Sequence, residues 1–141
     1  MLQYLTLPVT PFQQNCTLIW SDETKVGAVV DPGGDLDRIE AAIAQQGVTV
    51  EKILLTHGHI DHAGGAAELA EALGVEVIGP HEAEKPLLDN LEAQGRKWGL
   101  DGARNLEPSR FLAEGETIDI VGVPFEVFHA PGHSPGSVVL Y

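Results

Sequence analysis

The most constraining feature of this sequence is a short apolar run that leads directly into a cluster of histidines. Residues 53–56 read Ile-Leu-Leu-Thr, and the next six residues read His-Gly-His-Ile-Asp-His. A bounded apolar run of this length is typical of a buried strand. In extended backbone alternate side chains point the same way, so His57 and His59 can hold one ion together. Asp61 and His62 follow after the chain turns, and they face a direction that serves a second ion.

The composition of this cluster favours a metal site over an accidental grouping of surface histidines. It contains three of the six histidines in the chain, with an aspartate between them. Protonated imidazoles at this spacing would repel one another, and the cluster serves no packing purpose. Imidazole and carboxylate ligands suit zinc, iron or manganese better than calcium.

Two further segments give the chain a resemblance to a known family. The histidine cluster lies between VVDPGG at residues 29–34 and APGHSPG at residues 130–136, and this combination resembles the metallo-β-lactamase superfamily. Within it, PVTPFQQNC at residues 8–16 and GPH at residues 79–81 are similar to the glyoxalase II branch, the hydroxyacylglutathione hydrolases. The similarity is to the short bacterial members that lack a separate C-terminal glutathione-binding domain.

The predicted fold class is α/β, because strands alternate with helices along the chain. The resemblance implies an αββα sandwich with metals at one edge of the sheets. The predicted strands are 2–7, 16–20, 26–30, 53–56, 75–78, 117–121, 124–128 and 137–141. The predicted helices begin after residue 35 and span 63–73 and 82–93, and residues 95–110 are expected to be an irregular insert.

The resemblance also implies a ligand set for two metal ions. It assigns His57, His59 and His133 to one ion, and Asp61 and His62 to the other. Zinc is the expected metal, with iron or manganese as alternatives. Asp61 is also assigned a catalytic role, in which it orients the metal-bound hydroxide.

Four other residues near these motifs have expected roles. Asp31 follows an apolar run, and the resemblance gives it a supporting role behind the metal ligands. His129 is interpreted as a second-shell or packing residue rather than a ligand. His81 either borders the pocket or packs on the surface. Cys16 is expected to be a buried structural thiol rather than a nucleophile.

The sequence ends on an apolar strand, at residues 137–141, with no polar tail. Members of the family that this sequence resembles continue into a second half, which carries an aspartate that bridges the two metals and a further histidine for the second metal. We therefore expect residues 1–141 to be one metallo-β-lactamase-type domain that is incomplete at its C-terminus.

Charge and composition limit the partners that we expect. The net charge of −13 argues against nucleic-acid binding, which needs a basic surface. No apolar run is long enough to span a membrane, no secretory signal is visible, and one cysteine cannot form an internal disulfide, so a cytoplasmic location is expected. The basic residues between 85 and 110 either form a solvated helical face or a patch for an anionic substrate.

These observations predict a metal-dependent hydrolase that attacks a thioester with a metal-bound hydroxide. The expected substrate is a small molecule, S-(2-hydroxyacyl)glutathione, cleaved to glutathione and a 2-hydroxy acid. A thiolate leaves without a strong general acid, which favours a thioester over an amide. The alternatives are an iron-dependent persulfide dioxygenase, another ester or lactone hydrolase, and an inactive fragment. The sequence does not identify the substrate-binding residues.

Overall fold

A computed structural model describes residues 2–9, 14–98, 104–130 and 138–140, apart from the side chains of Gln14, Asp61, Trp98 and Val139. The strands in these residues are β1 (Leu2–Val9), β2 (Gln14–Ser21), β3 (Val26–Val30), β4 (Thr49–Leu54), β5 (Glu76–Ile78), β6 (Thr117–Ile120), β7 (Val123–His129) and β8 (Val138–Leu140). The helices are α1 (Leu36–Gln46), α2 (Ile60–Ala63), α3 (Ala66–Leu73), α4 (Lys85–Leu88) and α5 (Leu91–Trp98), with a 3-10 turn at Glu82–Glu84.

The first sheet has the strand order β1-β2-β3-β4-β5. The pairs β1–β2 and β2–β3 are antiparallel, whereas β3–β4 and β4–β5 are parallel. Parallel neighbours need a crossover connection, and these are supplied by α1 and by α2 with α3. The carboxyl ends of β3, β4 and β5 therefore meet at one edge of the sheet.

The two faces of this sheet pack against different layers. Ile53 and Leu54 are both fully buried, and they belong to separate apolar clusters because successive strand side chains point to opposite faces. The cluster around Ile53 includes Ile39 of α1 and Leu69 of α3. The cluster around Leu54 includes residues of the second sheet, such as Val127. The described residues thus form three layers, helices on one sheet and that sheet on another.

The second sheet has the order β6-β7-β8 and is antiparallel. Its hairpin turns at Val121 and Gly122, which both have positive φ, and the predicted hairpin around Gly122 is confirmed. The amide of Val138 donates to the carbonyl of Thr56 at 2.8 Å, so β8 begins beside the loop that follows β4. Among the described residues, no helix is long and apolar enough to cross a membrane.

The predicted helix over residues 63–73 ends at Leu73 as expected but begins later, at Ala66, because Ala63 is the last residue of a separate helix, α2. The break falls at Gly64 and Gly65, where a Cβ at Gly65 would lie 2.7 Å from the carbonyl oxygen of Pro32. The Gly65 amide donates to that same oxygen at 3.0 Å. The glycines let the chain pass close against the loop after β3, and this contact between distant segments ends α2.

The prediction for residues 82–110 is wrong in part. The predicted helix 82–93 is divided into the 3-10 turn, α4 and the start of α5, and α5 continues to Trp98 where an irregular insert was predicted. Gly95 is buried within α5 and does not end the helix. Residues 99–103 lie outside the described part of the chain, and residues 104–110 contain no helix.

Candidate metal centre

Three loops bring polar side chains to the edge where the parallel strands end. Asp31 follows β3 directly, residues 55–59 lie between β4 and α2, and residues 79–81 follow β5. In open α/β sheets, ligands bind outside the carboxyl ends of the strands. The predicted placement of the histidine cluster at the C-terminal end of a strand is confirmed, although β4 ends at Leu54, two residues earlier than predicted.

The histidine rings of the segment lie against one another. The ring centroids of His57 and His62 are 3.7 Å apart, and those of His57 and His59 are 5.2 Å apart. His57 is buried, whereas His59 and His62 are partly exposed. One ligand atom each from Asp31, His57 and His62 lies within 4.8 Å of the others, so these residues could hold a metal ion.

Two predicted ligands lie outside the described atoms. His133 falls in residues 131–137, and the side chain of Asp61 is also outside the description. The backbone of Asp61 belongs to α2, next to His62. The ligand roles of Asp61 and His133 therefore stay predictions, and so does the division of ligands between two ions.

The Asp31 carboxylate is engaged by hydrogen bonds on both oxygens. Oδ1 accepts from the Thr56 amide at 2.8 Å, and Oδ2 accepts from the Thr56 hydroxyl at 2.6 Å. Oδ2 is also 3.0 Å from Nδ1 of His62. Asp31 is 5% exposed, and these donors compensate the burial of its charge. This geometry suits the predicted supporting role better than direct ligation.

The contact from Asp31 sets which nitrogen of His62 faces the site. With Nδ1–H donating to the carboxylate, the neutral ring carries its lone pair on Nε2. Carboxylate partners of this kind fix the tautomer and the orientation of metal-binding histidines. Asp31 itself has φ 55°, a left-handed conformation in which aspartate and asparagine are tolerated better than most residues.

Thr56 connects Asp31 to His57, and sequence reasoning gave it no role at the site. Its hydroxyl donates to Asp31 Oδ2, and the hydroxyl oxygen lies 3.3 Å from Nδ1 of His57, from which it can accept a hydrogen bond. His57 then carries its lone pair on Nε2, as His62 does. The signal was present in the sequence, because a hydroxyl residue immediately precedes the histidine cluster.

Sequence reasoning also missed Glu84 and Gln94. The Glu84 side chain is completely buried, and its Oε1 accepts the Gly58 amide at 2.8 Å. Gln94 Oε1 accepts the Ile60 amide at 3.2 Å. A glutamate and a glutamine in a polar helical stretch look like solvated residues, and their sequence pattern gives no sign of these contacts.

His81 and His129 form a separate pair. Their rings are stacked, with centroids 3.9 Å apart and planes inclined by 1°. Nδ1 of His81 accepts the Ala83 amide at 3.1 Å, and the amide of His129 donates to the Glu114 carboxylate. The predicted second-shell role of His129 stays a prediction, since its described ring contact is with His81.

Cys16 is fully buried on β2, as expected for a structural thiol. Burial, followed by the charge of Asp31, raises the pKa of the Cys16 thiol from 9.0 to about 12. The thiol is therefore protonated at neutral pH and is a poor nucleophile.

Most basic residues between 85 and 110 are balanced by acids. Lys85 pairs with Asp89 at 2.9 Å, and Arg104 and Arg110 pair with Glu71 and Glu116 at 2.8 Å. These pairs favour the solvated-surface interpretation for those three cations. For Arg96 and Lys97, in the last turn of α5, the alternative of a patch for an anionic substrate stays a prediction.

The donor chemistry of the centre fits a transition-metal ion. Imidazole nitrogens with a neighbouring carboxylate bind zinc, iron and manganese. The Nδ1 atoms of His57 and His62 each lie within hydrogen-bond distance of a side-chain oxygen, which orients these two rings. The structure therefore brings together a cluster of residues that could hold a metal ion.

Comparison with known proteins agrees with this fold. Residues 9–141 match the model of the Metallo-beta-lactamase superfamily. The chain is 44% identical over 133 residues to the hydroxyacylglutathione hydrolase GloC of Haemophilus influenzae, covering 94% of this chain and 62% of that protein. The chain thus spans less than two thirds of this relative.

Two solved structures are similar in fold. The BLEG-1 B3 metallo-beta-lactamase has a TM-score of 0.85 and 31% identity, over 99% of this chain and 66% of that chain. TTHA1623, solved in a di-iron-bound form, has a TM-score of 0.82 and 36% identity, over 97% of this chain and 66% of that chain. The predicted α/β fold class and the resemblance to hydroxyacylglutathione hydrolases are confirmed. The chain belongs to the metallo-beta-lactamase superfamily.

Proposed function

We propose that this protein is a metal-dependent hydrolase that cleaves S-(2-hydroxyacyl)glutathione to glutathione and a 2-hydroxy acid. The observation that carries the proposal is the cluster of His57, His59 and His62 at the carboxyl edge of the parallel strands, backed by Asp31. The 44% identity to a protein named hydroxyacylglutathione hydrolase supports the choice of substrate.

The proposed ligands are His57, His59 and His133 for one ion, and Asp61 and His62 for the other. Zinc is the proposed metal, and the di-iron form of TTHA1623 keeps iron as the alternative. When bound, the metal supplies Lewis-acid polarisation of the acyl carbonyl and a water of pKa about 7.

The protein's own residues prepare this site before any substrate arrives. Asp31 holds His62 by Nδ1 and holds Thr56 by its amide and its hydroxyl. Thr56 in turn positions the ring of His57. We assign Asp61 the task of orienting the attacking water. Such preorganised groups lower the barrier because they need no rearrangement during the reaction.

The leaving group explains why a thioester is preferred. A thiol has a pKa of about 8.5, so the thiolate departs near neutral pH without a proton donor. The departing nitrogen of an amide or a β-lactam needs more assistance.

A substrate panel tests the proposal. The full-length gene product, loaded with zinc, is assayed with S-D-lactoylglutathione, an oxygen ester of the same acyl group, a β-lactam and glutathione persulfide with an oxygen electrode. The proposal expects the highest kcat/KM for the thioester and a large loss of turnover in the His59→Ala variant. Faster oxygen uptake with persulfide, or faster cleavage of the oxygen ester, would replace the proposed substrate.

A matched control separates loss of the site from general damage. Gln45 is exposed on α1, far along the chain from the histidine cluster. The Gln45→Ala variant should keep the thioesterase activity of the unaltered protein. An equal loss in both alanine variants would show that the assay reports folding rather than the metal centre.

A further inference from the structure

Two side chains of the helical segment 82–98 accept hydrogen bonds from the backbone of the loop that carries His59. The Gly58 amide donates to Glu84 Oε1 at 2.8 Å, and the Ile60 amide donates to Gln94 Oε1 at 3.2 Å. These amides lie on either side of His59. The two acceptors lie 26 and 34 residues further along the chain.

The contact from Gln94 satisfies the first amide of α2. His59 is the N-cap of α2, with φ −67° and ψ 150°, and its side chain makes no capping hydrogen bond. The first amides of a helix have no acceptor within the helix. Gln94 satisfies the Ile60 amide, while its own Nε2 donates to the Leu87 carbonyl at 3.1 Å. Both the oxygen and the nitrogen of the Gln94 side-chain amide are therefore engaged, which holds the side chain beside the loop.

The contact from Glu84 places a carboxylate in a fully buried position. The side chain has 0% relative exposure. Burying a carboxylate costs free energy unless the carboxylate accepts hydrogen bonds. Packing alone therefore does not explain a buried glutamate that accepts a hydrogen bond from a loop amide. An apolar residue would fill the same space without that cost.

The loop and the helical segment also touch directly. A Cβ on Gly58 would lie 3.2 Å from Leu87 Cβ and 3.4 Å from Glu84 Cβ. The backbone at Gly58 thus packs closely on the helical segment and leaves little room for a side chain. Close packing and the two hydrogen bonds together define the path of the loop through His59.

We propose that Glu84 and Gln94 are positioning residues, which form a clamp on the two amides beside His59 and set its ring for metal binding. This inference rests on the ligand role of His59 in the proposed function. The clamp acts through the backbone, since neither side chain is assigned a contact with substrate or metal. It is the counterpart of the Asp31 and Thr56 contacts, which fix His57 and His62 by their rings.

Zinc affinity of the full-length protein tests the clamp without any substrate. Metal-free protein is titrated with zinc in competition with a chromogenic chelator, and with cobalt to record the visible spectrum of the bound ion. Glu84→Met and Gln94→Met remove the acceptors, and each should weaken zinc binding by about 10- to 100-fold. Each should also change the cobalt spectrum, because the His59 ring leaves its position.

Conservative variants and matched controls separate positioning from packing. Glu84→Gln keeps an acceptor oxygen at the same reach, and it should restore most of the affinity that Glu84→Met loses. Glu82→Met changes an exposed glutamate in the same 3-10 turn, and Gln45→Met changes an exposed glutamine on α1. Both controls should leave zinc binding and the cobalt spectrum unchanged.

Two outcomes would overturn the clamp. One is unchanged zinc affinity and an unchanged cobalt spectrum in both acceptor-removing variants. The other is fast hydrogen exchange of the Gly58 and Ile60 amides in the unaltered metal-free protein, which would show that the two amides are not held. This second measurement decides the matter if the acceptor-removing variants do not fold. Tight zinc binding that depends on the clamp, without thioester turnover, would instead overturn the proposed substrate alone.

Discussion

Replacing Asp31 by asparagine should weaken metal binding while leaving the backbone in place. The carboxylate accepts three donors, the Thr56 amide on Oδ1 and the Thr56 hydroxyl and His62 Nδ1 on Oδ2. Asparagine offers one oxygen and one NH2 group. If its oxygen meets the Thr56 amide, its NH2 group faces His62 Nδ1, which must then accept. The proton of the His62 ring moves to Nε2, the nitrogen that a metal needs.

The magnitude follows from the loss of this partner. Mutating the partner of a metal-binding histidine costs about 10- to 100-fold in metal affinity, or about 1.4–2.8 kcal/mol. The metal-free protein should also lose about 1.5–3 kcal/mol of stability, the value of a hydrogen bond to a charged group. Asparagine tolerates the left-handed φ of 55° at this position, so backbone strain adds little.

Zinc competition titration and chemical denaturation of the metal-free protein measure these two quantities. Asp35 provides the matched control, because it also has a left-handed φ, of 50°, and its side chain is exposed. The Asp35→Asn variant should bind zinc as the unaltered protein does. An Asp31→Asn variant with undiminished zinc affinity would refute the argument that Asp31 sets the His62 tautomer.

Three other predictions concern the thiol, the basic end of α5 and a glycine contact. The pKa of the Cys16 thiol is raised in the folded protein, so the unfolded chain loses the thiol proton first as the pH rises. The free energy of unfolding should therefore fall by about 1.4 kcal/mol per pH unit between pH 9 and 12. Urea titration at each pH should show that this pH dependence is absent from a Cys16→Ala variant. Reversing charge at Arg96 and Lys97 should raise KM for the glutathione thioester with little change in kcat if they meet the substrate, and an unchanged KM would leave them as surface residues. A Cβ at Gly65 would clash with the Pro32 carbonyl at 2.7 Å, so Gly65→Ala should cost about 1–3 kcal/mol in a denaturation experiment, and a neutral effect would contradict the close approach.

Local sequence patterns were sufficient to predict the structural features that neighbouring residues determine. The apolar run before His57 identified a buried strand, and the turn at Gly122 identified the hairpin of β6 and β7. The concentration of ligand-type side chains was itself local. The prediction of a metal site therefore needed no knowledge of distant contacts.

Contacts between distant segments explain what the sequence did not show. α2 ends at Ala63, because the chain at Gly64 and Gly65 approaches residues 32–33, and this contact leaves no trace in helical periodicity. Glu84 looks like a solvated residue, yet it is buried against Gly58, 26 residues away. His133 and the Asp61 side chain lie outside the described atoms, so their roles stay predictions.

Removal and restoration of metal is the measurement that tests the central claim most directly. The full-length protein is stripped with a chelator, dialysed, and assayed with S-D-lactoylglutathione before and after the addition of zinc. The account predicts that thioester cleavage disappears on stripping and returns with zinc, and that it does not return in the His57→Ala variant. Full turnover by protein shown to be metal-free would contradict the account.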